Sequence, residues 1–286
     1  MPVANNSLQL REALAAAINL LDTSHMGSPR LNAELLLMFT LNCDRAYLYA
    51  HPEQPLLPEE ILRYQGAIDE RASGMPAQYI TGHQEFWGMD FIVNPSVLIP
   101  RPETEHLIEA LLPLAREIDN PKIADVGTGS GCIAVVLAKE LPDAEIHAID
   151  ISQAALEIAR ANAVRHQLDG RIQFHENDLL GGLDIGKLDF VVSNPPYVGE
   201  SEEDQVQLEV RRFEPRNAVF AGSSGLEIID RLVPEAHDCL ESGGWLVMEI
   251  SGTIATRVPG ILCAWDEVQI IHDLSGIPRV SLARRP

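Results

Sequence analysis

A chain of 286 residues can hold two modest domains or one large one, and its 46% hydrophobic and 22% charged content is ordinary for a soluble globular protein. A net charge of −21, with lysine only at 122, 139 and 187, argues against long nucleic acid as the main partner, which would need clustered basic side chains. No apolar run is long enough to span a bilayer and no secretory signal opens the chain; scattered Cys43, Cys132, Cys239 and Cys263 read as reduced, buried residues, and nine histidines without an H-E-x-x-H give no metal site.

Residues 1–75 read as a helical bundle. Leu8, Arg11, Leu14, Ile18 and Leu21 fall at helical spacing behind a Ser7 cap. A second helix opens at Ser28-Pro29 and carries Leu31, Leu35, Leu36 and Phe39. A short third follows Asp44, and a fourth runs from Pro58 to near Gly74 with Ile61, Leu62, Ile68 and Ala72 inward. The block holds five arginines against nine acids, and is either a packed cap or a surface that recognises a partner.

Residues 76–100 change character. Gln78-Tyr79-Ile80, Glu85-Phe86-Trp87 and Phe91-Ile92-Val93 are aromatic and β-branched runs broken by Gly82 and Gly88, which predicts a β-hairpin linker. Pro100-Arg101-Pro102 then leads into a helix with Glu103 and Glu105 in its first turn, running to about Ile118.

From 101 to 286 the pattern is that of one α/β domain. Strands are predicted at 122–126, 145–149, 171–175, 188–193, 245–250, 267–272 and 279–283, with helices at 130–140, 152–166, 225–241 and 252–264. This alternation gives a doubly wound, mainly parallel sheet. The last two strands are joined too tightly for a crossover helix, so they are antiparallel to each other. The stretch 198–216 reads as a long acidic loop.

Two corners carry chemistry. Gly127-Thr128-Gly129-Ser130-Gly131 follows the first sheet strand where a helix begins, so backbone can turn sharply and a ligand can come close. Asp150 ends the next strand, where a carboxylate can accept both hydroxyls of a ribose. Asp178, after the third strand, is placed to reach an adenine amine. A tight β–α turn with a capping aspartate would leave the same trace at Asp150 and Ser152, and Asp178 also reads as a solvated loop residue. The second corner is Asn194-Pro195-Pro196-Tyr197, where two prolines stop a buried strand and stiffen the chain. An amide oxygen and a nearby carbonyl there can each accept one N–H of a planar NH2 group; an ordinary strand-ending turn is the plainer alternative.

An acid leading into G-x-G-x-G, an acid ending the second strand and Asn-Pro-Pro-Tyr ending the fourth resemble the S-adenosylmethionine-dependent methyltransferases. Gln78-Tyr79-Ile80-x-Gly82, Glu85-Phe86-x-Gly88, Val97 to Glu105 (Val-Leu-Ile-Pro-Arg-Pro-Glu-Thr-Glu), Phe213-Glu214-Pro215-Arg216-x-Ala218 and Gly225-Leu226 are similar to the release-factor glutamine methyltransferase family (PrmC/HemK) over nearly the whole chain. The resemblance implies a Rossmann-like seven-stranded domain, with a helical substrate-recognition domain ahead of it. It implies methyl transfer from S-adenosyl-L-methionine, leaving S-adenosyl-L-homocysteine, to the glutamine of the Gly-Gly-Gln tripeptide in class 1 release factors.

It further implies that Gly127, Thr128, Gly129, Ser130 and Gly131 line the methionine and ribose portion of the cofactor, with Asp150 on the ribose and Asp178 and Leu179 beside the adenine. Asn194 touches cofactor and substrate. Asn194 and Pro195 act on the reacting amide, and Pro196 and Tyr197 help hold it. Leu179 departs from the aromatic residue many relatives carry. A monomer in the cytoplasm, without metal, is expected. An adenine-specific DNA or RNA amino-methyltransferase shares the Asn-Pro-Pro-Tyr corner, a ribosomal-protein glutamine is a related target, and a catalytically silent cofactor-binding domain would also fit the motifs.

Overall fold

The computed structural model describes residues 8–286, so the cap expected at Ser7 lies outside the described residues. The chain divides into two compact units, with the boundary between Gly82 and His83.

The first unit is helical: α1 Leu10–Thr23, α2 Pro29–Leu41, α3 Arg45–Ala50, α4 Pro58–Ala72 and α5 Ala77–Thr81. In α1 the face that packs is Leu10, Ala13, Ala17 and Leu21, the three- and four-residue spacing of one helical stripe. The Gln9 backbone N–H at its start donates to Glu12 Oε2 at 3.0 Å. Asp44 caps α3 by accepting from the Tyr47 backbone N–H at 2.7 Å, as its sequence predicts. Ser28 precedes Pro29 but its side chain makes no capping bond. Leu62, expected inward, is 70% exposed, and Tyr64, 3% exposed, fills the core in its place. The run Gln78-Tyr79-Ile80, read as extended, is helical in α5. Pro76 starts that single turn and Gly82, at φ +76°, ends it.

The second unit begins with an antiparallel hairpin, β1 His83–Phe86 and β2 Met89–Ile92. A 3-10 turn, Pro102–Thr104, leads into α6 Glu105–Ala115, shorter than the expected end at Ile118. The alternating elements follow: β3 Lys122–Val126, α7 Cys132–Glu140, β4 Glu145–Asp150, α8 Gln153–Arg165, β5 Ile172–Glu176 and β6 Leu188–Ser193. After them come α9 Leu208–Phe213, α10 Arg216–Val219, α11 Glu227–Cys239, β7 Leu240–Glu249, α12 Val258–Ile261, β8 Asp266–His272 and β9 Pro278–Arg284.

The seven strands β3 to β9 form one sheet in the order β5-β4-β3-β6-β7-β9-β8. Only β9 is reversed, pairing antiparallel with both β7 and β8. This is the Rossmann-like methyltransferase arrangement. Both faces of the central strands are covered, so Ile123, Phe190 and Val192 join one apolar core and Ala124, Val126 and Val191 join the other. That is why these strands read as near-continuous apolar runs, interrupted in β3 by the buried Asp125, rather than as alternating ones.

Two stretches differ from expectation. The acidic segment 198–216 is not a plain loop: it contains a 3-10 helix, Glu200–Gln205, then α9 and the start of α10. Arg216 clamps Glu203 with two 2.9 Å bonds and Arg211 holds Asp204, so two of its acids are spent on local pairs. Over 252–264 only α12 is regular helix, because Pro259 and Gly260 fall within it. Cys263 is exposed rather than buried. Among the described residues no helix is long and apolar enough to cross a membrane.

Candidate active site

Leaving β3 in one direction, the chain builds β4 and β5; it then returns to lay β6 on the other side of β3. Ligands of such sheets bind beyond the strand ends at this point of reversal. Both corners singled out from the sequence sit there, since Gly127 follows β3 and Asn194 follows β6. Val126 is the register partner of Ser193, and Ser193 Oγ donates to the Val126 carbonyl at 2.7 Å.

The glycine loop is held by its neighbours. Gly127 and Thr128 N–H both donate to the Ile149 carbonyl at 2.8 and 2.9 Å, and Gly129 N–H donates to Asp150 Oδ2 at 2.9 Å. Beneath it the Thr128 hydroxyl donates to Asp125 Oδ2 at 2.6 Å. Burial pushes the Asp125 carboxyl up to about 7, against the hydrogen bonds from Thr128 and the Ala134 N–H. Asp125 thus braces the turn from below, while its Oδ1 is buried without a hydrogen-bond partner.

Gly127, Thr128, Gly129, Ser130, Asp150, Asp178, Leu179 and Asn194 line one cavity of about 280 Å³. Gly131 does not line it. A Cβ at Gly131, where φ is +79°, would lie 2.9 Å from Ala159 Cβ and 3.0 Å from Ala159 Cα, so this glycine lets α7 pass close to α8. Gly131→Ala should therefore cost about 2–4 kcal/mol from positive-φ strain plus overpacking. The check is thermal unfolding, with a melting temperature several degrees lower.

Asp150 is the polar centre of the cavity's far wall. Its oxygens already accept from Gly129 N–H and Ser152 N–H, each at 2.9 Å, which leaves each oxygen a second lone pair. Burial raises its carboxyl above the ordinary range, partly offset by those two bonds. Asp178 is exposed and accepts from Arg231 at 2.7 Å. Leu179 has φ +61°, a conformation costly for a side chain of its size. The Asn177 amide holds that turn, donating to the Leu179 and Gly181 carbonyls at 3.1 and 3.0 Å.

A second cavity of about 180 Å³ adjoins the first and is lined by Pro195 and Tyr197. Asn194 and Pro196 line both cavities. The corner is anchored from behind: Asn194 Nδ2 donates to Thr104 Oγ1 at 3.1 Å, and the Thr104 hydroxyl donates to Glu249 Oε2 at 2.6 Å. The Tyr197 hydroxyl donates to Glu249 Oε1 at 3.2 Å. Burial pushes Glu249 up to about 7 despite those two donors, and burial followed by the Glu249 charge pushes the Tyr197 phenol up.

Arg101 lines both cavities and pairs with Glu214, a buried acid that also accepts from the Ile99 N–H at 3.3 Å. Burial raises the Glu214 carboxyl, with Arg101 opposing. The pair ties the segment before α6 to the segment before α10. Thr104, Glu249 and the Arg101–Glu214 pair were missed as working parts. Their one trace in the sequence was that Arg101, Thr104 and Glu214 fall inside segments shared with a known family.

The hairpin is fastened to the same region by Asn162, a residue of α8 with no exposed surface. Its Oδ1 accepts from the Ile92 N–H at 2.7 Å; its Nδ2 donates to the Ile92 and Ser130 carbonyls at 3.0 and 2.9 Å. Asn162→Ala strands three backbone groups and should destabilise the second unit by about 2–4 kcal/mol. Urea unfolding reads this directly.

The residues fit a nucleoside-bearing cofactor. The wall offers a carboxylate with spare lone pairs, apolar Ile151 and Leu179 for a flat base, and glycines 127 and 129, where an added Cβ would meet nothing nearer than 4.0 Å. Among the described residues, no group of His, Cys, Asp or Glu is arranged to hold a metal ion.

Comparison with known proteins gives the same picture. Residues 12–82 match the family model "PrmC N-terminal domain" and residues 103–212 match "Methyltransferase small domain". The chain is 53% identical over 280 residues to the release factor glutamine methyltransferase of Koribacter versatilis, covering 98% of this chain and 99% of that one. It is 41% identical over 253 residues to the protein of that name from Geobacter sulfurreducens, covering 88% of each. Among solved structures it resembles the T. thermophilus 16S rRNA N2 G1207 methyltransferase in complex with AdoMet and guanosine, with a TM-score of 0.53 at 16% identity, over 71% of this chain and 50% of that one.

Proposed function

This chain belongs to the release factor glutamine methyltransferase family, and from that premise we propose that the larger cavity holds the cofactor and the adjoining one the substrate glutamine. The enzyme transfers a methyl group from S-adenosylmethionine to the glutamine of release factors. The observation that carries the site assignment is that Asn194 and Pro196 line both cavities, so a group held by the corner faces both.

S-adenosylmethionine, when bound, supplies an electrophilic methyl group. The chain's own residues have the harder half of the task, because a carboxamide nitrogen is a poor nucleophile whose lone pair is delocalised into its carbonyl. As that nitrogen gains positive character, acceptors aimed at its two hydrogens bind it more tightly than in the ground state. Asn194 Oδ1 and the Pro195 carbonyl are those acceptors in this reading. Proline geometry fixes them beforehand, so little reorganisation accompanies the reaction. Tyr197 packs beside the flat amide. Asp150 takes the ribose hydroxyls, Gly127 to Ser130 take the methionine end, and Asp178 and Leu179 flank the adenine. The methylated nitrogen then loses its extra proton to water.

The target within this reading is the Gly-Gly-Gln glutamine of class 1 release factors, recognised with the help of the helical first unit by a monomeric, cytoplasmic enzyme. Labelled cofactor tests it against release factor, a release factor whose motif glutamine is alanine, a ribosomal protein and duplex DNA. Label only in the unaltered release factor is the expected result. Label in DNA or in the alanine variant would overturn it.

A further inference from the structure

The Asn194 amide can be useful in only one orientation. If it were turned over, its Nδ2 would meet the substrate N–H groups donor to donor. An asparagine side chain has nearly the same shape either way round, so something must choose.

Thr104 and Glu249 supply the choice. Thr104 is 2% exposed and Glu249 is 3% exposed, and they come from the turn before α6 and the end of β7. A threonine hydroxyl has one hydrogen. With Glu249 ionised, its Oε2 takes that hydrogen at 2.6 Å, so toward Asn194, at 3.1 Å, Thr104 Oγ1 is left to accept. The flipped amide would set two acceptors face to face at that distance. The Tyr197 hydroxyl spends its own hydrogen on Glu249 Oε1 at 3.2 Å, and so offers none to the amide. A buried carboxylate is a costly way to fill space, and a well-packed apolar side chain of similar size is often no less stable. Its presence here has a directional use.

We propose that Glu249 and Thr104 are positioning residues: the carboxylate orients the threonine hydroxyl, which holds the Asn194 amide with Oδ1 toward the substrate nitrogen. This rests on the reading of Asn194 as the acceptor for that nitrogen.

The test compares Thr104→Val, Thr104→Ser, Glu249→Met and Asn194→Ala in methyl transfer to intact release factor, with kcat and both KM values measured and cofactor binding followed by calorimetry. Thr104→Val keeps the shape and removes the hydroxyl. Its kcat should fall about 10- to 100-fold, the cost of a buried amide left without its partner, while both KM values stay within about threefold. Thr104→Ser should recover most of the loss, which a merely space-filling role would not predict. Glu249→Met removes the acceptor for both hydroxyls and guards against a Thr104→Val protein that does not fold. It should still fold, melting a few degrees lower because two hydroxyls lose their acceptor, and still lose kcat.

Wild-type kcat in Thr104→Val or Glu249→Met overturns the relay, as does a Thr104→Ser enzyme as slow as Thr104→Val. An inactive Asn194→Ala beside a normal Thr104→Val defeats the relay alone. A fully active Asn194→Ala defeats the acceptor reading with it.

Discussion

Asn194→Ala is expected to lower kcat for release factor methylation about 100- to 1,000-fold, the range seen when one preorganised partner of a developing charge is removed. Its position beyond β6, on the shared wall of both cavities, means that truncation strips an acceptor from the reacting nitrogen without opening the backbone. The prolines at 195 and 196 keep the corner's course, so the fold should persist. Cofactor affinity should change only a few-fold, because Asp150 and the glycine loop lie on the other strands. Methyl incorporation under saturating substrates, paired with calorimetry of cofactor binding, separates the two effects. An alanine variant with wild-type turnover would remove Asn194 from the chemistry.

Asp150→Ala should act in the opposite sense, raising the cofactor dissociation constant about 100-fold. Two charge-assisted hydrogen bonds to a ribose would be lost, each worth about 1.5–3 kcal/mol, part of which water recovers. The same change frees the Gly129 and Ser152 N–H groups, which now end on that carboxylate at 2.9 Å. The loop should loosen and thermal stability fall slightly. At saturating cofactor kcat should stay close to normal, since Asp150 lies away from the Asn194 corner. Unchanged binding would take it off the ribose.

Buried parallel strands announced themselves, because Phe190 to Val192, like Ile123, Ala124 and Val126 around the buried Asp125, need apolar residues on both faces. The two corners were equally legible, being made of residues with strong local meaning. Gln78-Tyr79-Ile80 misled for the converse reason. Its aromatic and β-branched side chains suit a strand, but Pro76, Gly82 and packing of Ala77 and Tyr79 make a single helical turn. In 198–216 the polar composition hid short helices stapled by Arg216–Glu203 and Arg211–Asp204 pairs. The link between Thr104 and Glu249 was invisible because each has a plain local excuse, one in a helix's opening turn and one at a strand's end. The 2.6 Å bond between them spans 145 positions of chain. Such a contact is a property of topology, and no window of neighbouring residues contains it.

The pairing of Val126 with Ser193 has one further consequence. Neighbouring strands lie about 4.8 Å apart by backbone hydrogen bonding alone, so in the proposed assignment the roots of the cofactor loop and of the Asn194 corner are spaced by main chain. In that assignment a change in the first unit alters which protein is presented, while the strand spacing beneath the two corners stays the same. Target choice and reach would then rest on different parts of the chain.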